Sequence, residues 1–137
     1  MTKKQWLSRG YLLNEYINTL LEEQARAKSD ALRVTPQYAG DKVQISSGNG
    51  SERKFISCAA YSEEIDRQID KLYSIKQEIL AAIKSVDDTV LQMLLVLRYV
   101  QFKKWEAIAL ELNYDYRWVL RLHGKALEKI NTPLKAT

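Results

Sequence analysis

Two arginines near the C-terminal end of the chain have the type and spacing that suit recognition of a base pair. Arg117 and Arg121 are four residues apart, so on a helix their side chains lie on one face. A guanidinium group presents a fork of N–H donors that matches the O6 and N7 acceptors of guanine. Neighbouring basic and aromatic residues could hold phosphate groups or touch a thymine methyl group; these are Lys103, Lys104, Tyr116, Trp118 and Lys125. The segment therefore predicts double-stranded DNA as a partner.

The sequence offers little for catalysis or for metal binding. His123 is the only histidine and Cys58 the only cysteine, so one chain can form neither a disulfide nor the usual Cys/His zinc site. No serine or cysteine lies near His123, and Glu106 and Glu111 are five residues apart, which does not place them on one helix face. Acid–base or nucleophilic catalysis needs a helper group of that kind. We predict that the protein is not an enzyme and uses no cofactor, and that His123 and Cys58 are packing residues.

Three short helices are expected to position the basic residues. The first covers residues 89–99 and follows Asp88, a good N-cap residue. The second covers residues 105–112, and the third covers residues 116–130, with Asp115 as its N-cap. One apolar stripe runs along the third helix and consists of Val119, Leu122, Ala126, Leu127 and Ile130. Two short helices joined by about three residues, the second of them basic, form the helix-turn-helix pattern.

The order of residues in this segment resembles region four of bacterial sigma factors. The similarity is carried by Leu97-Arg98-Tyr99-Val100, Trp105-Glu106-Ala107-Ile108-Ala109 and His123-Gly124-Lys125-Ala126-Leu127. It is closest to the phage-encoded regulators of late transcription of the ArpU/RinA type, which carry a sigma-like fold behind a helical N-terminal region. The resemblance implies a sequence-specific DNA-binding transcription regulator of a phage or prophage that acts on late genes. It also implies host RNA polymerase as a further candidate partner.

The resemblance also bears on individual residues of the third helix. In sigma factors, the positions that match Tyr116, Arg117, Leu120 and Arg121 contact DNA, so the resemblance implies that role here. Leu120 departs from the polar residue usual at its position. That departure indicates a different sequence preference, or weaker binding that needs two copies of the chain.

The first 85 residues contain two heptad patterns, as in a coiled coil. The first pattern comprises Trp6, Gly10, Leu13, Ile17, Leu20, Gln24, Ala27 and Ala31. The second comprises Tyr61, Ile65, Ile69, Leu72, Lys76, Ile79 and Ile83. Two patterns of similar length joined by a long connection predict an antiparallel helical hairpin.

Residues 34–52, between the two patterns, lack helical periodicity and contain Pro36 and a Ser/Gly-rich tract, so we expect an exposed, flexible loop. The fold class predicted is all-α. A hairpin arm over residues 1–85, with the loop at 34–52, precedes a sigma-region-four-like helix-turn-helix head over residues 86–137.

Charge and hydropathy indicate where the protein acts. The net charge of +4 and the pI of about 9.1 suit a nucleic acid partner. No run of eighteen apolar residues could span a membrane, and the N-terminal residues lack the apolar region of a signal peptide. We therefore expect a protein in the cytoplasm of a bacterial host cell. Tyr73, Ile75 and Leu80 leave a second apolar face on the arm, which predicts a homodimer formed through the arm or a monomer folded onto its own head.

Two other functions fit the same sequence. One is a protein-interaction module, antirepressor-like, whose head binds RNA polymerase or another regulator without DNA; salt-dependent affinity for DNA separates it from a DNA reader. The other is a phage terminase small subunit, which also joins a helix-turn-helix to a helical oligomerisation arm. A ring of many copies would distinguish it by mass from a dimer.

Overall fold

The computed structural model describes residues 1–33 and 44–133 of the 137-residue chain, and every element of regular structure in these two ranges is helical. The elements are α1 (Lys3–Leu7), α2 (Arg9–Arg33), α3 (Gln44–Ile83), α4 (Thr89–Leu95), a π-helical turn (Val96–Val100), α5 (Trp105–Leu112) and α6 (Tyr116–Lys129). The predicted all-α class is therefore confirmed. None of these helices is long and apolar enough to cross a membrane.

Helices α4, α5 and α6 begin at the residues predicted from the sequence, and aspartates cap two of them. The Asp88 carboxylate accepts hydrogen bonds from the backbone N–H groups of Val90, at 2.8 Å, and Leu91, at 3.2 Å. The Asp115 carboxylate accepts one from the N–H of Arg117 at 3.2 Å. Each bond satisfies a backbone donor that has no partner within the first turn of its helix.

The chain forms two compact units, and they do not follow the predicted boundary between residues 85 and 86. One unit combines Met1–Leu13 with the chain from Leu72 onwards, and the other is Asn14–Lys71. The reason is a shared core in the first unit. Trp6, in α1, and Ile79, near the end of α3, are buried in the same apolar cluster as α4, α5 and α6. Both ends of the predicted arm therefore belong to the unit that contains the C-terminal helices.

Helix α3 begins at Gln44 rather than near Glu52, so the prediction of a loop over residues 34–52 is wrong for residues 44–52. Gly48 and Gly50 lower the helix propensity of this stretch by about 1 kcal/mol each relative to alanine. They still supply the backbone N–H and C=O groups that a helix needs, and no proline interrupts the stretch. Residues 34–43 lie outside the described part of the chain.

The second unit contains the later part of the first heptad pattern and the earlier part of the second. Gln24, on α2, donates from Nε2 to the backbone oxygen of Cys58 at 3.0 Å and to Oγ of Ser62 at 2.6 Å. The Cys58 thiol is half-buried and lies 3.9 Å from the backbone oxygen of Gln24. Every predicted contact position on α2 is buried or half-buried, but Ile69 on α3 is 46% exposed. A straight helix drifts about 20° per heptad relative to a strict seven-residue repeat, which explains why one position of the long α3 turns outward.

A phenylalanine with an unusual backbone conformation packs in the first unit. Phe102 has φ of 60°, a region that L-amino acids rarely adopt. Its ring lies against Gly10 so closely that a Cβ atom on Gly10 would be 3.2 Å from Phe102 Cζ. The ring also meets the edge of Tyr11, with centroids 6.1 Å apart, and Lys76 Nζ lies 5.1 Å from its centroid. The contacts of the ring therefore offset the strain of its backbone.

We expect Phe102→Gly to be more stable than Phe102→Ala, the reverse of the usual order. Both variants lose the packing of the ring, which for a large core side chain costs about 3–5 kcal/mol and less for a half-buried one. Alanine keeps the strain of a positive φ, about 1–2 kcal/mol, whereas glycine has none. The free energy of unfolding in urea measures the difference.

The matched control is Leu12, a 74% exposed residue inside α2. There Leu12→Ala should exceed Leu12→Gly in stability by about 1 kcal/mol, the ordinary difference in helix propensity. If the alanine variant is more stable than the glycine variant at position 102 as well as at position 12, the backbone of Phe102 is not strained.

Candidate nucleic-acid interface

A tight turn of three residues joins α5 to α6. Asn113 ends α5 in the left-handed conformation, with φ of 59° and ψ of 44°, which asparagine tolerates better than most residues. The N–H of Tyr114 donates to the backbone oxygen of Ala109 at 3.0 Å. Asp115 is extended, with φ of −64° and ψ of 143°, and starts α6. These conformations turn the chain sharply and expose the N-terminal end of α6.

One side of α6 is packed into the core of the first unit. Its buried residues are Val119, Leu122, His123 and Ala126, and Ile130 is buried just beyond its end. Leu127 is half-buried against the same cluster. The predicted apolar stripe is therefore confirmed, and it determines which side of the helix faces outward.

The opposite side of α6 presents Arg117 and Arg121. Both residues are exposed. Within residues 1–33 and 44–133, neither guanidinium group forms a hydrogen bond or an ion pair. Tyr116 and Leu120 border the arginines on the same exposed side, and Gly124 follows them. The helix thus places two arginines, a tyrosine and a leucine on one surface.

Trp118 and Lys125 form a pair on another part of the α6 surface. Trp118 is 40% exposed, so its indole is not part of the core. Lys125 Nζ lies 5.2 Å from the centre of the indole ring, within the range of a cation–π interaction. This contact orients the ammonium group beside an aromatic ring, and both groups stay accessible to a ligand.

The two lysines that precede α5 differ from each other. Lys103 is half-buried, and its Nζ lies 2.5 Å from Oε2 of Glu111, so an ion pair within the chain already compensates its charge. Lys104 is exposed at the N-cap position of α5, and no described carboxylate pairs with it. Of these two predicted contacts, Lys103 is engaged within the chain, whereas Lys104 has no ion-pair partner among the described residues.

Four side chains that the site prediction did not include contact one another at the start of α5. Arg98 lies 4.4 Å from the centre of the Trp105 ring and donates to the backbone oxygen of Lys103 at 3.0 Å. The Trp105 ring contacts the His123 ring, with centroids 4.5 Å apart. The hydroxyl of Tyr99 is hydrogen-bonded to Nε2 of His123 at 2.5 Å. The pairing of Tyr99 with His123 spans 24 residues, so no local pattern in the sequence could have revealed it.

Burial sets the charge of this cluster. Burial, helped by the positive charges of Lys4 and Arg98, lowers the pKa of His123 to about 4. Burial also raises the pKa of Tyr99 to about 12, against the smaller opposing effect of Arg98. Both groups are therefore neutral at pH 7, and one donates to the other without a net charge inside the core.

An apolar groove lies beside the turn between α5 and α6. Its volume is about 630 Å³, and Leu110, which lines it, is 83% exposed. Two carboxylates, from Glu106 and Asp115, are part of the lining, which also includes Ala109, Tyr114 and Tyr116. This groove combines apolar side chains with negative charge, unlike the basic surface of α6.

No group of three or more His, Cys, Asp or Glu side chains in the described ranges could hold a metal ion. No protein-family model, curated protein or solved structure matches this chain.

We expect the protein to lose stability as the pH falls from about 6.5 towards 4, with His123 as one cause. The unfolded chain binds a proton at its ordinary pKa of about 6.5, whereas the folded chain resists protonation until about pH 4. The contribution of neutral His123 to the free energy of unfolding is therefore fully present above about pH 6.5. It decreases by about 2 kcal/mol between pH 7 and 4.5.

Urea unfolding at a series of pH values, for the wild type and His123→Gln, measures this effect. Carboxylates titrate in both proteins, so the difference between the two profiles isolates the histidine. The difference should shrink as the pH falls, because the variant has no imidazole to protonate. Parallel profiles would contradict a buried, neutral His123.

Proposed function

We propose that the protein is a sequence-specific DNA-binding transcription regulator, in which α5, the turn and α6 form a helix-turn-helix reader. The observation that carries this proposal is the pair Arg117 and Arg121, exposed one helical turn apart with no ion-pair partner in the described part of the chain.

The arginine pair is unfavourable for the folded chain by itself. Two like charges at positions i and i+4 of a helix destabilise it by a few tenths of a kcal/mol, and no carboxylate within the described ranges compensates Arg117 or Arg121. DNA supplies both missing partners. Phosphate groups provide negative charge along the major groove, and guanine provides two acceptors that match a guanidinium fork.

Gly124 supports a close approach of a ligand to the same surface. A Cβ atom built on it would meet nothing within 4 Å, so the packing of the chain does not require glycine there. Glycine inside a helix costs about 1 kcal/mol relative to alanine. Because Gly124 lies three residues after Arg121 and four after Leu120, it leaves a flat surface next to both. A flat surface suits the approach of a DNA backbone.

The finer fold proposed with this function is a helical hairpin arm and a sigma-region-four-like head. The contacts of Gln24 with Cys58 and Ser62 support pairing of α2 with α3. Within the unit Asn14–Lys71, Leu21 and Phe55 are exposed and line a groove of about 440 Å³. We propose that this apolar face mediates a homodimer, with the mass of the protein in solution as its test. A much larger ring would favour the terminase small subunit instead.

The proposed setting rests on the resemblance to sigma region four and to phage late-gene regulators. It places the protein in the cytoplasm of a bacterial host, as a phage or prophage product that acts near host RNA polymerase. The Trp105–Leu112 helix and the basic Tyr116–Lys129 helix, with three residues between them, match the arrangement expected for such a reader.

The groove around Leu110 favours a second candidate function, the binding of a protein. Apolar side chains flanked by Glu106 and Asp115 suit a segment with an apolar residue between lysines or arginines. RNA polymerase or another regulator could supply that segment. Binding of this kind would not require DNA, and it would not show the salt dependence of counterion release.

Selection from random-sequence duplex DNA, at two salt concentrations, tests the leading proposal. We expect the wild type to enrich one motif, and Arg117→Ala/Arg121→Ala to lose that enrichment. A good bidentate contact contributes about 1–3 kcal/mol of discrimination, which corresponds to about 5-fold to 150-fold in affinity, so we expect a loss in this range for each arginine that reads a guanine.

The matched control is Arg26→Ala/Arg67→Ala, which removes the same charge from two exposed arginines in the other unit. It should retain the motif, with only a small uniform loss of affinity. Equal, weak binding by the wild type and both double variants would contradict the reader and favour the protein-binding function.

We expect Gly124→Ala to stabilise the protein while weakening its binding to DNA. Alanine raises helix propensity by about 1 kcal/mol, and the added methyl group has free space in the unbound chain. On the complex, the same methyl group would meet the DNA. Thermal unfolding and titration with the selected duplex measure the two effects. A variant that gains stability and keeps full affinity would show that DNA does not approach Gly124.

A further inference from the structure

Two apolar side chains form an exposed edge along the arginine surface of α6. Tyr116 is 42% and Leu120 38% exposed. They are four residues apart, so they lie one above the other on one helix face. Leu120 is three residues after Arg117 and therefore its neighbour on the helix surface. Neither Tyr116 nor Leu120 belongs to the buried core cluster or to the residues packed against it.

The position of this edge limits what could cover it. It adjoins two positive charges that no described carboxylate compensates, so a purely apolar partner would have to desolvate both guanidinium groups without pairing them, which is costly. A partner that covers the edge must therefore carry acceptors or negative charge beside an apolar group. Duplex DNA has this combination in its major groove.

The major groove presents only one apolar group, the C5-methyl of thymine. The other base edges carry donors or acceptors. A leucine side chain placed against them would remove water from those groups and offer no hydrogen bond in return. A leucine on a reading helix therefore favours thymine over the other three bases.

We propose that Leu120, with Tyr116, reads the methyl groups of thymine, so that the recognised site contains thymine beside a guanine held by Arg117 or Arg121. Residues at i and i+3 of a helix lie about 5–6 Å apart, and successive bases of one strand are about 3.4 Å apart along the axis. Neighbouring side chains on α6 therefore reach neighbouring base pairs. This inference rests on the proposed DNA-reading function and specifies the sequence class it reads.

Replacement of thymine by deoxyuracil tests the inference, because uracil lacks only the methyl group. The full chain is first used to select a motif, and each thymine of that motif is then replaced in turn. We expect one or two positions at which uracil weakens binding of the wild type about fourfold each, the fold-change that corresponds to about 0.8 kcal/mol for one buried methylene-sized group. Leu120→Ala should bind the thymine and uracil duplexes equally at a position read by Leu120.

The control is Leu12→Ala, which removes an exposed leucine of the same type from α2. It should keep the full uracil penalty of the wild type. Both positions are exposed, so thermal unfolding should show both variants folded.

Three results would overturn the inference, and they differ in what they say of the proposed function. A selected motif with no uracil-sensitive position leaves the DNA reader intact and removes the thymine contact. A uracil penalty that persists in Leu120→Ala assigns the methyl contact to another residue. The absence of any selected motif removes both the reader and its thymine preference.

Discussion

The hydrogen bond between the Tyr99 hydroxyl and the His123 imidazole is the constraint on which the arrangement of the C-terminal helices depends. Tyr99 belongs to the π-helical turn after α4, and His123 to the buried side of α6. A π-helical turn adds a residue to the helical repeat and so rotates the residues after it. The bond, at 2.5 Å, ties that rotated segment to one face of α6. The orientation of α6 is therefore set by a directional contact as well as by apolar packing.

This polar pair restricts the core in a way that apolar residues could not. Apolar side chains tolerate small rotations of a helix, because their attraction has little direction. A buried hydroxyl and imidazole lose free energy if they separate, since each would be left without a partner. The Trp105 ring packs on the His123 imidazole, and the Arg98 guanidinium group lies over the Trp105 ring. The rotation of α6 is thus linked to the position at which α5 begins, and the outward face with Arg117 is determined by contacts on the inward face.

The parts of the structure that could be predicted from the sequence are those governed by neighbours along the chain. Asp88 and Asp115 act through N–H groups two or three residues away, so the starts of α4 and α6 were predictable. Periodicity identified the buried stripe of α6 for the same reason. Periodicity does not predict that α3 begins as early as Gln44. Serine and glycine are common in loops, and here they are helical because the helix that follows them continues through this stretch.

The contacts that could not be predicted join residues far apart in sequence or depend on backbone strain. Lys103, just before α5, pairs with Glu111 in the last turn of that helix, and nothing in their spacing distinguishes this lysine from Lys104. Phe102 adopts a positive φ because its ring has Gly10 to pack against, and only the folded chain brings the two together. The apolar stripe of α6 predicts which of its residues face outward, but it does not predict that Arg117 and Arg121 have no ion-pair partner among the described residues.

The exposed face of α6 departs from what stability alone would select, and the departures are close together. Arg117 and Arg121 repel each other, Gly124 weakens the helix, and Leu120 exposes apolar surface beside charge. Each departure is small, a few tenths of a kcal/mol to about 1 kcal/mol, and each could be removed by one substitution. Chains usually break local rules of this kind where a ligand is bound. The opposite face of the same helix, from Val119 to Ile130, is packed and satisfied, so the two faces of α6 differ in a way that the proposed DNA-reading function would explain.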